Sequence, residues 1–283
     1  MEHMMEHTMS KRVSLAVVLA TMLACSGGAA IAADTGDAAL KAAIAGSART
    51  PANATRDGAR HPYETLTFFG IKPTMTVVEL APGGGWYTEI LGPYLHDHGK
   101  LIAAGSDPQS ASEGARKSAA RFQQKLDTNP AAFGKVEIGA FAPPATYRIA
   151  PKGMADMVLT FRNIHNWIPI GEDGMKTLFK EVYDSLKPGG VFGVVEHRLP
   201  ANKAQDAQAS TGYMHEAYVI RLVESAGFKL AAKSEINANP KDNAEHQGGV
   251  WALPPTYANN DTDRAKYTAI GESDRMTLKF VKP

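Results

Sequence analysis

The 283-residue chain has one cysteine, Cys25, and no block of like charge. Its 30 Lys and Arg are balanced by 29 Asp and Glu, leaving a formal net charge of +1 spread along the chain. That balance argues against a nucleic-acid groove and against a polybasic membrane surface. The one long apolar run, residues 13–24, is shorter than the roughly 20 residues a membrane-spanning helix needs. What remains is ordinary: 44% hydrophobic and 21% charged residues suit a globular protein that handles a small molecule.

Lys11 and Arg12 precede the apolar run, and a small-residue stretch with Ala30-Ile31-Ala32 follows it. A positive start, a short apolar stretch and a small-residue site together read as a secretory signal peptide over residues 1–33. A buried N-terminal helix is the other reading, but the segment has no amphipathic period. The expected location is therefore periplasmic or secreted. Met22-Leu23-Ala24-Cys25 loosely resembles a lipoprotein site, which leaves a lipid anchor at Cys25 open. A cut after Ala32 instead removes the only cysteine, and with it disulfides, thiolate catalysis and Cys-based metal sites. Residues 34–60 then read as an N-terminal helix and polar linker, and residues 61–283 as one domain.

From residue 63 onward, helix and strand signals alternate. Apolar, β-branched stretches at 76–80, 101–104, 136–138, 157–161, 191–195, 228–232 and 276–281 predict strands. Helices are expected over 63–69, 86–95, 112–126, 175–186 and 218–226. Strands separated by helices predict a parallel sheet covered on both faces, a doubly wound Rossmann-like α/β fold. Residues 237–273 resist this scheme: they are polar, contain Pro240, Pro254, Pro255 and Gly248-Gly249, and have no period. A loop of that length is usually functional or disordered, and here it reads as an ordered excursion.

The sharpest motif is Val77-Val78-Glu79-Leu80-Ala81-Pro82-Gly83-Gly84-Gly85. An apolar strand ends in an acid, and a turn of small residues opens a helix. Small residues let the backbone approach a ligand, and the helix start offers free N–H groups to a carboxylate or phosphate. Glu79-x-Ala81-x-Gly83-x-Gly85 resembles the first motif of class I S-adenosylmethionine-dependent methyltransferases, with Ala in place of the first Gly. Leu186-Lys187-Pro188-Gly189-Gly190 resembles the turn entering that family's fifth strand. Gly83 to Glu89, Phe161 to Trp167 and Glu196-His197-Arg198 are similar to an exported bacterial group within it.

This resemblance spans residues 61–282. It implies a seven-stranded sheet ordered 3-2-1-4-5-7-6 with the last strand antiparallel, and S-adenosylmethionine as cofactor. Glu79, Ala81, Gly83 and Gly85 would line its methionine part. The family's ribose-binding acid falls on Gly105, so Asp107 is the nearest acid for that role. Phe141 would pack on the adenine where the family often has an acid.

In open α/β sheets ligands bind at the carboxyl edge, which places Phe161 to Trp167 and Glu196 to Arg198 at the expected site. Arg162 can pair a carboxylate or phosphate, and His165 or His197 can take a proton. Glu196 can orient an imidazole, while Asn163, Trp167 and Arg198 face the acceptor. The plainer alternative is that Asn163 and Asn166 satisfy loop backbone groups and His165 is a packed core histidine. No metal is expected: His96 and His98 flank Asp97 in a loop, where a metal site is only the minor reading, and His215 and His246 are too separated in sequence to argue as ligands. Trp251 and Tyr257 would be a lid or a packed surface. The resulting expectation is methyl transfer to a small-molecule acceptor. The alternative is an exported, non-catalytic ligand-binding protein on the same fold, with Arg162 and Arg198 gripping an anion.

Overall fold

The computed structural model describes Met1 and residues 27–283, with side chains from Gly36 on; the expected leader run and Cys25 lie outside the described residues. Eight strands form one sheet: β1 (Thr76–Leu80), β2 (Lys100–Gly105), β3 (Glu137–Ala142), β4 (Thr146–Arg148), β5 (Ala155–Phe161), β6 (Leu186–His197), β7 (Lys229–Ser234) and β8 (Arg275–Val281). Their spatial order is β4-β3-β2-β1-β5-β6-β8-β7. β1 pairs in parallel with β2 and β5, and β5 with β6, whereas β8 runs antiparallel to both β6 and β7. Set β4 aside and the order is the expected seven-stranded one. β4 is a three-residue edge strand antiparallel to β3, with no buried residue, too short to leave a period in the sequence.

Alternation along the central strands sends side chains to two faces. Val78, Val158, Phe192 and Phe280 pack on one face with Leu178 and Phe179 of the helix Gly171–Ser185. Val77, Met157 and Leu159 pack on the other with Ile90 and Leu91 of the helix Thr88–Leu95. Each such fully buried side chain contributes on the order of 1.5–3 kcal/mol. The segment before residue 61 is docked there too: Leu40 and Ala43 of the helix Gly27–Ala45 belong to that second cluster.

The helix expected from residue 86 starts at Thr88, because Gly83 and Gly85 hold the preceding turn at φ of +57° and +78°. Residues 237–273 are ordered: Asn237 donates to the hydroxyls of Thr65 and Thr277, each at 3.0 Å, and a helix forms at Arg264–Ile270. Among the described residues, no helix is long and apolar enough to cross a membrane.

Candidate active site

The register fixes what meets at the carboxyl edge. Leu80 lies beside Thr160, and Phe161 beside Val195. The carboxyl ends of β1, β5 and β6 therefore emerge side by side, which brings the glycine bend, Arg162-to-His165 and Glu196-to-Arg198 to one edge.

The bend is open. A Cβ placed on Gly83 or Gly84 would meet nothing within 4 Å, so both leave room for a ligand against the backbone. Gly85 serves a different purpose: a Cβ there would come 2.9 Å from the Lys125 side chain, where the helix Glu113–Asp127 packs. Ala81 sits at φ +49°, with its N–H donating to Ala104 O at 2.8 Å. Trp86 does not close the bend. Trp86 donates its indole N–H to Asn53 O at 3.0 Å, and its ring lies under Arg49 and Arg60. Asn163, expected at the acceptor, is used as a tie: its amide nitrogen donates to Leu80 O, Ala81 O and Thr160 Oγ1 at 3.2–3.3 Å.

Glu79 lies below this bend, 2% exposed, and accepts a hydrogen bond from Thr88 Oγ1 at 2.6 Å. Burial pushes its carboxyl up to about 7, against the opposing Thr88 bond and the Arg162 charge. A raised folded pKa means stability that is complete below the unfolded value of 4.5 and is lost as pH rises through about 7. Glu79→Gln should therefore stabilise the ligand-free protein by about 3 kcal/mol at alkaline pH and change nothing near the unfolded carboxyl pKa. Urea denaturation at the two pH values checks this; a variant less stable than wild type at alkaline pH refutes it.

The other cofactor-side expectations land differently. The Asp107 carboxylate is engaged by Gln109 N–H, Thr146 Oγ1 and Arg148 Nη2 at 2.9–3.1 Å, which ties β2 to β4. Phe141 and Trp167 are buried and meet edge to face at 5.0 Å, so each ring helps to fill the core beneath the edge.

Beside the bend, at the ends of β5 and β6, lies a polar cavity of about 250 Å³. Its wall includes Arg56, Arg60, Arg162, His165, His197 and Trp251. Arg162 is held at φ +61°, with its N–H on Val195 O at 2.7 Å. Glu196 is fully buried beneath the cavity. It receives His165 Nδ1 at 2.9 Å, the His165 backbone N–H at 3.2 Å and the His197 N–H at 2.8 Å. The carboxylate thus fixes the His165 ring and leaves Nε2 as its free nitrogen. His197 Nδ1 meets Ser273 Oγ at 2.5 Å. Burial, with the nearby Arg162 and Arg275 charges, holds His197 well below the usual histidine range, so it stays neutral at pH 7.

One donor atom from each of His165, Glu196 and His197 lies within 4.8 Å of the others, a spacing a metal ion can use. Arg162, Arg275 and Arg60 make the same space positive, which opposes a cation.

Arg198 is turned elsewhere. Asp274 grips it at 2.9 Å and Glu235 at 2.8 Å, which raises its pKa further and leaves it out of the cavity wall. In its place are residues the sequence did not single out. Arg56, Arg60 and Arg275 converge on Glu272 at 2.7, 3.2 and 3.1 Å. Trp251 lies 5.8 Å from the His165 ring and helps to roof the cavity with Pro254 and Pro255, whereas Tyr257 bonds Thr268 at the surface.

No protein-family model and no curated protein matches the chain. Solved structures do. An S-adenosylmethionine-dependent methyltransferase from Aquifex aeolicus is 15% identical, with 87% of this chain and 98% of that one covered at a TM-score of 0.53. The [4+2]-cyclase SpnF is 13% identical, with 89% and 95% covered at a TM-score of 0.54. The likeness establishes the class I methyltransferase fold. The second neighbour, named for a cyclisation, is a reminder that this fold does not dictate one reaction.

Proposed function

We propose that this protein transfers a methyl group from S-adenosylmethionine to a small-molecule acceptor held at the carboxyl edge of β5 and β6. One observation carries the reading: an open glycine bend sits one strand away from a cavity that contains a carboxylate-backed histidine. Bound S-adenosylmethionine supplies an electrophilic methyl group on a sulfonium. Gly83 and Gly84 fit such a ligand, since a Cβ on either would meet nothing within 4 Å. The remaining chemistry falls to the chain's own residues. Methyl transfer needs two reactants aligned, and alignment is what adjacent strand ends provide.

His165 Nε2 takes the proton that an acceptor hydroxyl or amine loses, while Glu196 holds the ring and stabilises the imidazolium. His197 stays neutral and offers a hydrogen bond. Trp251, Pro254 and Pro255 add apolar surface to the wall of the same cavity. The signal-like pattern of residues 1–33 supports action outside the cytoplasm.

Titration calorimetry of the purified protein with S-adenosylmethionine and with S-adenosylhomocysteine tests the reading. Saturable heat with both is expected. If neither gives heat nor raises the melting temperature, methyl transfer is ruled out.

A further inference from the structure

We infer that the cavity at the ends of β5 and β6 is an anion site, and that the methyl acceptor is a small molecule carrying a carboxylate or phosphate group. The identity of the acceptor rests on the proposed methyl transfer; the anion site stands on its own geometry.

The case begins with charge. Arg56, Arg60 and Arg275 share the single carboxylate of Glu272. The side chains of Arg60 and Arg275 are only 5% and 2% exposed, so water does little to offset their mutual repulsion. Arg162 adds a fourth guanidinium to the same space, and among the described residues that side chain has no ion-pair or hydrogen-bond partner. Of the other carboxylates close by, Glu196 is turned to His165 and to the His197 N–H, and Glu79, which also feels the Arg162 charge, is buried against Thr88 with its carboxyl raised to about 7. Even with Glu79 counted as ionised, four guanidinium groups face three carboxylates, so a positive excess remains around a cavity of about 250 Å³. Burial and the neighbouring cations push Arg60, Arg162 and Arg275 down, the signature of cations short of counter-charge.

An anion relieves that shortage. Arg162 is the group placed to receive it, because its fork of donors suits the paired oxygens of a carboxylate or phosphate. Its backbone, held at φ +61°, is a conformation that side-chain-bearing residues seldom adopt, and here it turns the chain back from β5 at the cavity wall. His165 lines the same cavity, so an acceptor anchored by its anionic end lies beside the proposed base. The charge also suits the partner reactant. A sulfonium is a cation, and a neutral acceptor would leave it next to uncompensated arginines.

Calorimetry and thermal shift at neutral pH and low ionic strength test the inference, with inorganic phosphate and L-malate as probes and glycerol as the neutral control. At least one anion should bind saturably and raise the melting temperature, while glycerol does neither. Phosphate alone, or malate alone, identifies the anionic group the site takes. Arg162→Gln should weaken the binding about tenfold or more with the far-ultraviolet circular dichroism unchanged. Arg56→Gln, at the more exposed side of the cavity, is a second variant that should weaken it several-fold. The inference fails if neither anion binds, or if both variants bind as wild type does. Titration with S-adenosylmethionine separates the two readings. Anion binding without cofactor binding removes methyl transfer and leaves the anion site, and the reverse result removes only the site.

Discussion

Glu272→Ala is expected to lower the unfolding free energy by about 3–5 kcal/mol at neutral pH, among the largest losses available in this chain. Glu272 accepts from Arg56 Nε at 2.7 Å, Arg60 Nε at 3.2 Å and Arg275 Nη1 at 3.1 Å, and its side chain is 9% exposed. Removing it strands three guanidinium groups around Arg162, two of them almost wholly out of water. The pH dependence identifies the cause. Burial alone would raise the Glu272 pKa, but the Arg275, Arg60 and Arg56 charges outweigh it and hold the carboxyl at about 2. A depressed folded pKa gives stability that is present above the unfolded value of 4.5 and lost as pH falls towards about 2. The gap between wild type and variant should therefore be widest at neutral pH and shrink steadily through that acid window. Urea denaturation across the range measures it. A gap that stays constant with pH would mean that Glu272 acts by packing and not by charge. Phosphate should restore part of the loss, because an anion in the cavity replaces some of the missing counter-charge.

The sequence revealed the parts of this site that depend on local pattern. β1 and β5 are short apolar runs, and a small-residue turn follows the first of them. A parallel sheet must bring its strand ends to one edge, so Arg162, His165, Glu196 and His197 could be placed together from their positions alone. The Glu272 cluster could not. Arg56 and Arg60 lie 216 and 212 residues from Glu272, in a stretch whose polar character reads as linker. Arg198 misleads for the same reason, since its captors Glu235 and Asp274 reach it from 37 and 76 residues away. Asp107 is likewise claimed by Thr146 and Arg148 across a strand too short to leave a period. Local pattern shows which residues reach an edge. Which of them remain free there is decided by partners distant in sequence.

Asp242→Ala should cost a comparable amount, about 3–5 kcal/mol, through hydrogen bonds and not through excess charge. The carboxylate of Asp242 is buried and accepts from Tyr213 Oη at 2.9 and 2.8 Å, His246 Nε2 at 2.8 Å, Ala244 N–H at 2.9 Å and Asp274 N–H at 2.8 Å. Alanine leaves all of these donors inside the fold without an acceptor. Asp242→Asn keeps the shape but turns an amide N–H₂ towards donors, so it should recover only part of the loss. The consequence reaches the cavity through three consecutive residues. Glu272 faces the arginines, Ser273 bonds His197, and Asp274 grips Arg198, while Asp242 fixes the backbone at Asp274. Anion affinity should therefore fall in Asp242→Ala even at temperatures where the sheet remains folded. Hydrogen exchange should show the same localisation, with protection lost first in residues 237–274 and kept in β1 and β5. A stability loss below about 1 kcal/mol would place Asp242 among ordinary surface carboxylates and leave the order of residues 237–273 to its apolar contacts.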